Sequence, residues 1–309
     1  MTEIEFIDHS TVQLVKKEAS DLDVAMAAWV SNFGLNGLPV MPEGMPSKWR
    51  MERGRGAPGG GWGDVKAGWE RVEGLINFLY RERHMSPFEH GSFTFFVDTP
   101  IFVAREFMRH RTWSYNETSG RYKQLEPRFY LINDERPVVQ KGKVGAYRFD
   151  GGSPEQYGSV YAATTIGYGS AWNAYQQMLG QGVAKEVARN VLPVGTMTQF
   201  YATANPRNVM QFLLLRNDDN ALYEIREVAR KIEEAFAQAM PLTYAAYKKY
   251  DWRDEKAELV ELRKKVAQME AEETYRENID AGRRTDSKQQ FLENLDWHPE
   301  NKMKKGIFR

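Results

Sequence analysis

The chain has 309 residues, 42 Lys and Arg against 42 Asp and Glu, and no cysteine. Without cysteine there are no disulfides, no thiolate-ligated zinc, no iron–sulfur clusters and no mechanism with a protein thiolate as nucleophile. A net charge of zero argues against a protein that coats nucleic acid, so any anion binding has to come from a local cluster. The 42% hydrophobic share is enough for a full core. No apolar run reaches the roughly 18–20 residues of a membrane span, and residues 1–10 lack the charged start and apolar core of a signal peptide. A cytoplasmic protein without membrane or nucleic-acid contacts is expected.

Ser20, Asp21 and Asp23 open a stretch that continues through Trp29 and Val30 as a capped amphipathic helix. Residues 34–63 are too rich in Gly and Pro for a helix or a central strand and read as a long loop or insert. A helix resumes after Asp64 with Val65, Trp69, Val72, Leu75, Ile76 and Leu79 on one face, and should stop near His84 because Pro87 disfavours helix before it. Ser92–Val97 is aromatic and β-branched enough for a short strand. Thr99 and Pro100 then look like an N-cap and a first-turn proline, starting a helix that runs to about His110.

Residues 133–153 are polar and read as a second loop. Helical patterns follow from Pro154 to Leu179 and from Ala184 to Leu192, separated by Gly180 and Gly182. Thr196–Thr203 reads as a strand, and Asn205-Pro206 repeats the cap-and-proline start before a helix ending at Arg216. Asn220–Met240 is the clearest long helix, with Leu222, Ile225, Val228, Ala229, Ile232 and Phe236 as one apolar stripe and Pro241 near its end. Beyond residue 250 the composition turns strongly charged. Leu259, Leu262, Val266 and Met269 keep 3-4-3 spacing for too few turns to make a coiled coil. The expected organisation is one domain over 1–250 and a partly helical extension over 251–309.

The chemistry concentrates between Arg105 and Arg128, where six basic residues face three glutamates among aromatic side chains. Guanidinium groups followed by a loop of Ser, Asn, Thr and Gly suit the fork geometry of phosphate oxygens. A solvated helix face with weak ion pairs has the same composition, and a non-catalytic nucleotide- or RNA-binding module stacking bases on the aromatics is a further alternative. His84 and His90 have no carboxylate-rich ligand set around them, so no metal site is expected. A second basic group comprises Arg189, Arg207 and Arg216. Arg216 closes an apolar helix and must reach solvent, an anion, or a carboxylate such as Asp218 or Glu224.

Arg109-His110-Arg111, seven residues and Ser119 form an RHR-x7-S motif, and the longer RHRTWSYNETSGRY resembles the signature of flavin-dependent thymidylate synthases. The blocks SPFEH (86–90), SFTFFVDTPIFVAREFMRHR (92–111), KEVARNVLP (185–193) and ANPRNVMQFLLLR (204–216) are similar to the same family. The resemblance implies a mixed α/β fold with helices around a small sheet, and a homotetramer with active sites shared between subunits. It implies synthesis of dTMP from dUMP, with methylenetetrahydrofolate as carbon donor and FAD reduced by NADPH as hydride source. By the same resemblance His84, Ser86, Glu89, Arg109, His110, Arg111, Glu117, Asn205, Arg207 and Gln211 contact FAD. Glu106, Arg109, Glu117, Ser119, Gly120, Arg121, Arg189 and Arg216 contact dUMP, with Arg216 as the catalytic group at the uracil carbonyls. Glu106 stands where the family often has glutamine, Gln211 where Asn or His is common, and Asn220 in place of a frequent histidine.

Overall fold

The computed structural model describes residues 3–33, 65–143 and 146–250, together with the helical Glu272, Tyr275, Arg276, Ile279 and Asp280. The chain divides into Met1–Lys249 and Tyr250–Arg309, and the first unit holds all the elements that follow. The 34–63 insert and nearly all of the charged extension lie outside the described residues.

A four-stranded antiparallel sheet is the centre of the fold, in the order β2 (Thr11–Glu18), β3 (Ser92–Pro100), β8 (Met197–Ala204), β4 (Ser114–Glu117). The period of two along β3 sends Phe93, Phe95, Val97 and Thr99 into the core, all fully buried. On the other face Thr94 and Thr203 join hydroxyls at 2.9 Å, and Phe96 meets Tyr201 edge-on at 6.0 Å. There are two shorter sheets: β1 (Glu5–Ile7) parallel to β5 (Arg128–Tyr130), and a hairpin of β6 (Val139–Lys143) and β7 (Ala146–Asp150).

The helices are α1 (Asp21–Phe33), α2 (Val65–Arg81), α3 (Ile101–Phe107), α4 (Pro154–Gly180), α5 (Lys185–Ala188), α6 (Pro206–Arg216), α7 (Tyr223–Ala239) and α8 (Pro241–Lys249). The stripe on α7 is core: Ile225, Val228, Ala229, Ile232 and Phe236 are fully buried, and the helix lies against β2, α3 and α6. A second core cluster of Phe129, Trp172, Tyr175 and Ala188 joins β5, α4 and α5, with Leu125 packed on it. This cluster seats the loop that follows β4.

Several expectations change. Residues 133–153 are not simply a loop, because β6 and β7 pair there, with Gly142 at positive φ. The cap-and-proline reading at Thr99-Pro100 fails: β3 continues through Pro100, and Thr99 buries its hydroxyl against that of Ser10 at 2.7 Å. The helix there ends at Phe107 and not near His110. The preceding helix, α2, stops at Arg81, short of His84. Trp69 of its expected core face is 39% exposed, while Val72, Ile76 and Leu79 are buried. The long helix begins at Tyr223 instead of Asn220, and Pro241 starts α8. Strands β1 and β2 were not expected from the sequence.

The second cap-and-proline site holds. Asn205 accepts the backbone N–H of Asn208 at 2.9 Å, with Pro206 opening the first turn.

Candidate active site

The residues singled out by the motif fall into three groups. The first lies where α3 and α6 end. Phe107 and Phe212 pack with centroids 4.5 Å apart, Trp113 lies 5.4 Å from Phe212, and Phe107 lies 5.4 Å from Phe200 of β8. This aromatic floor sets the spacing of the two helices and carries polar groups above it. Arg216 donates from Nη1 to Glu106 Oε2 at 2.9 Å and from Nε to His110 Nε2 at 3.0 Å. Neither Asp218 nor Glu224, the nearer carboxylates in sequence, is the partner: Asp218 accepts from Asn220, while Glu224 accepts from Tyr130 and Arg136. The Arg216 side chain is 19% exposed and that of Glu106 45%. Burial, together with the adjacent guanidinium, holds the His110 ring well below its usual range, at about 4, so the ring is neutral. Tyr115 donates its hydroxyl to the backbone carbonyls of Phe107 and His110, and burial raises its pKa.

The second group lies at the start of α6. Arg207 pairs with Glu89 at the end of the short turn Ser86–Glu89. His84 is exposed, its ring 5.9 Å from that of Phe78. The Trp113 indole N–H reaches the Asn208 carbonyl at 3.4 Å, so residues 110–113 run alongside α6, from Arg216 at its end to its first turn. At about 1.5 Å per residue, the two ends of α6 are about 15 Å apart.

The third group follows β4. Glu117 accepts the hydroxyl of Thr198 at 2.6 Å, and Ser119 Oγ accepts the backbone N–H of Arg121 at 3.2 Å. Arg121 reaches Glu186 at 2.7 Å, and Lys185 donates to the Tyr122 carbonyl at 3.1 Å, which fastens the loop to α5. Gly120 is closely packed: a Cβ there would lie 3.0 and 3.1 Å from the Leu125 side chain and 3.3 Å from Cδ of Arg189. Ser119 and Arg121 therefore lie close to Arg189, on either side of the buried Gly120. Arg109, Arg111 and Gln211 are exposed.

The structure thus unites Glu106 with Arg216, Glu89 with Arg207, and the Ser119 loop with Arg189. Thr198, Glu186 and Asn208 also hold these groups in place and were not expected. Only Asn208, three residues after the Asn205 cap, left a trace in the sequence. Among the described residues no helix is long and apolar enough to cross a membrane.

The family model described as thymidylate synthase complementing protein matches residues 13–242. A flavin-dependent thymidylate synthase of Streptomyces coelicolor is 46% identical over 252 residues, covering 79% of this chain and 93% of its own. One from Tropheryma whipplei is 41% identical over 251 residues, covering 79% and 94%. A solved structure, the UMP/dUMP methylase PolB from Streptomyces cacaoi bound with 5-Br dUMP, superposes with a TM-score of 0.67 at 39% identity, covering 80% of this chain and 98% of that one. The matched span includes every element that carries the three groups, and the chain belongs to the flavin-dependent thymidylate synthase family, enzymes of the methyltransferase class.

Proposed function

We propose that this chain makes dTMP from dUMP by reductive methylation, with methylenetetrahydrofolate as carbon donor and NADPH as the source of reducing equivalents for FAD. The observation that carries this reading is Arg216. A guanidinium fixed by two contacts on an aromatic floor is a permanent, oriented positive charge. Set against the uracil carbonyls, it stabilises electron density drawn onto the ring oxygens and makes C5 nucleophilic without a thiolate, which this cysteine-free chain cannot supply. The Ser119 hydroxyl, Arg121 and Arg189 form a surface suited to the nucleotide phosphate. Ser119 has no activating His–Asp pair in the sequence and serves in binding.

The start of α6 fits a dinucleotide cofactor. Asn205 uses its side chain on the N–H of Asn208, and Pro206 has no N–H, so the N–H and guanidinium of Arg207 are what the helix start offers a phosphate. His84, Ser86, Glu89, Arg109, His110, Arg111, Glu117, Asn205, Arg207 and Gln211 are the residues that would hold FAD. When bound and reduced by NADPH, FAD would supply the hydride that turns the transferred carbon into a methyl group. From the family resemblance alone we also propose a homotetramer in which each site draws on more than one copy, and a cytoplasmic location.

The experiment is direct. Purified protein should be yellow, oxidise NADPH faster when dUMP is present, and restore thymidine-free growth to a host lacking thymidylate synthase. Because PolB is a UMP/dUMP methylase, UMP and dUMP are offered side by side. A colourless protein unable to take up added FAD overturns the proposal.

A further inference from the structure

Arg216 is fixed from behind by a residue that its motif groups with the flavin contacts. The Nε of arginine carries a single N–H, and here it points at Nε2 of His110 at 3.0 Å. That bond requires a lone pair on Nε2, so the ring proton sits on Nδ1. The ring itself is held in place. It is buried with its edge toward Phe212 at 4.8 Å, and its backbone carbonyl accepts from the Tyr115 hydroxyl at 2.8 Å and from the Trp113 N–H at 3.2 Å. Glu106, the other partner of Arg216, is the more exposed of the two contacts and can be exchanged for a ligand. Two of the five guanidinium donors are used, and three remain for a ligand.

The geometry points to His110 as a positioning residue for Arg216: its unprotonated Nε2 fixes the plane of the guanidinium, while Glu106 holds the outer edge until substrate replaces it. This rests on the proposed reaction only for what the oriented cation acts upon. The charged groups facing the ring are Arg216 from α6 and, through it, Glu106 from α3. A protonated ring would set two cations 3.0 Å apart and expel Arg216 from its place.

The test compares His110→Leu, which removes the acceptor at similar bulk, with His110→Gln, whose side-chain oxygen can replace Nε2. His110→Leu is expected to lose kcat, counted per bound FAD, by about 10- to 100-fold, with KM for dUMP changed less than about threefold. His110→Gln should recover most of that loss. Unchanged kcat per bound FAD in His110→Leu, or no recovery in His110→Gln, overturns the role. A second measurement is independent of turnover and of how the variants fold. In ring-15N NMR spectra of the wild-type protein at neutral pH, His110 should show a protonated Nδ1 and an unprotonated Nε2. A proton on Nε2, or a charged ring, overturns the positioning role even if dTMP is made. If the expected tautomer is found in a protein that makes no dTMP, only the reaction assigned above is overturned.

Discussion

Arg216 and Arg121 are both motif-linked arginines paired with glutamate, yet they are built in opposite ways. Arg216 is 19% exposed and rests on a buried histidine as well as on Glu106. Arg121 is 61% exposed, and its partner Glu186 is 48% exposed. An exposed pair of this kind contributes about 0–1 kcal/mol and yields readily to a stronger anion. A partly buried guanidinium held by a buried histidine keeps its direction whether or not a ligand replaces Glu106. The first arrangement suits a charge that has to act on a developing charge, and the second suits a charge that has only to capture a phosphate.

The contrast breaks most sharply at Arg216→Ala. The expected loss in dTMP formation is about 100- to 1000-fold, the size associated with removing one preorganised charge-stabilising group. Flavin absorbance should persist, and turnover equal to wild type contradicts the role given to Arg216. The next effect is on stability. Because the His110 pKa is held at about 4, below the ordinary 6.5, the unfolded chain binds this proton more readily than the folded one. Its contribution is complete above about pH 6.5 and is lost as pH falls toward about 4, an expected cost of at most about 3 kcal/mol. Denaturant titrations over that range should show wild type losing stability relative to His110→Gln as pH falls, and parallel curves contradict the assignment.

Arg121→Ala should act differently, raising KM for dUMP about 10-fold while kcat stays within about twofold, with the wild-type KM rising with salt. A kcat collapse there removes the distinction between the two arginines. The smallest effect is expected at Asn205→Ala, where loss of the α6 cap costs about 1 kcal/mol, or about 2–4 °C in Tm for a chain of this size. Calorimetry checks it, and a shift above about 8 °C means that Asn205 does more than cap.

Much of the helical architecture was legible because its determinants are local. The α7 stripe repeats at the helical period, and Asn205-Pro206 carries both the cap and the fixed φ of a helix start. Thr99-Pro100 has the same local pattern and fails, because pairing with β8 through Met197 keeps Pro100 in the strand. The 133–153 segment reads as loop since its polar residues contribute little to a core, although their backbones pair as β6 and β7. Trp69 obeys the helical period, and only the position of neighbouring elements leaves it at the surface.

The sequence by itself determined the absence of a thiolate, the local cationic excess within a neutral chain, and a motif specific enough to name the family. These depend on residue types and short spacing alone. Tertiary structure decided which carboxylate meets Arg216, that His110 turns a ring nitrogen toward it, and that the Ser119 loop docks on the helix preceding Arg189. Each of these contacts joins residues far apart in the chain, and their partners are chosen by the packing of aromatic side chains in two cores, which no local pattern encodes.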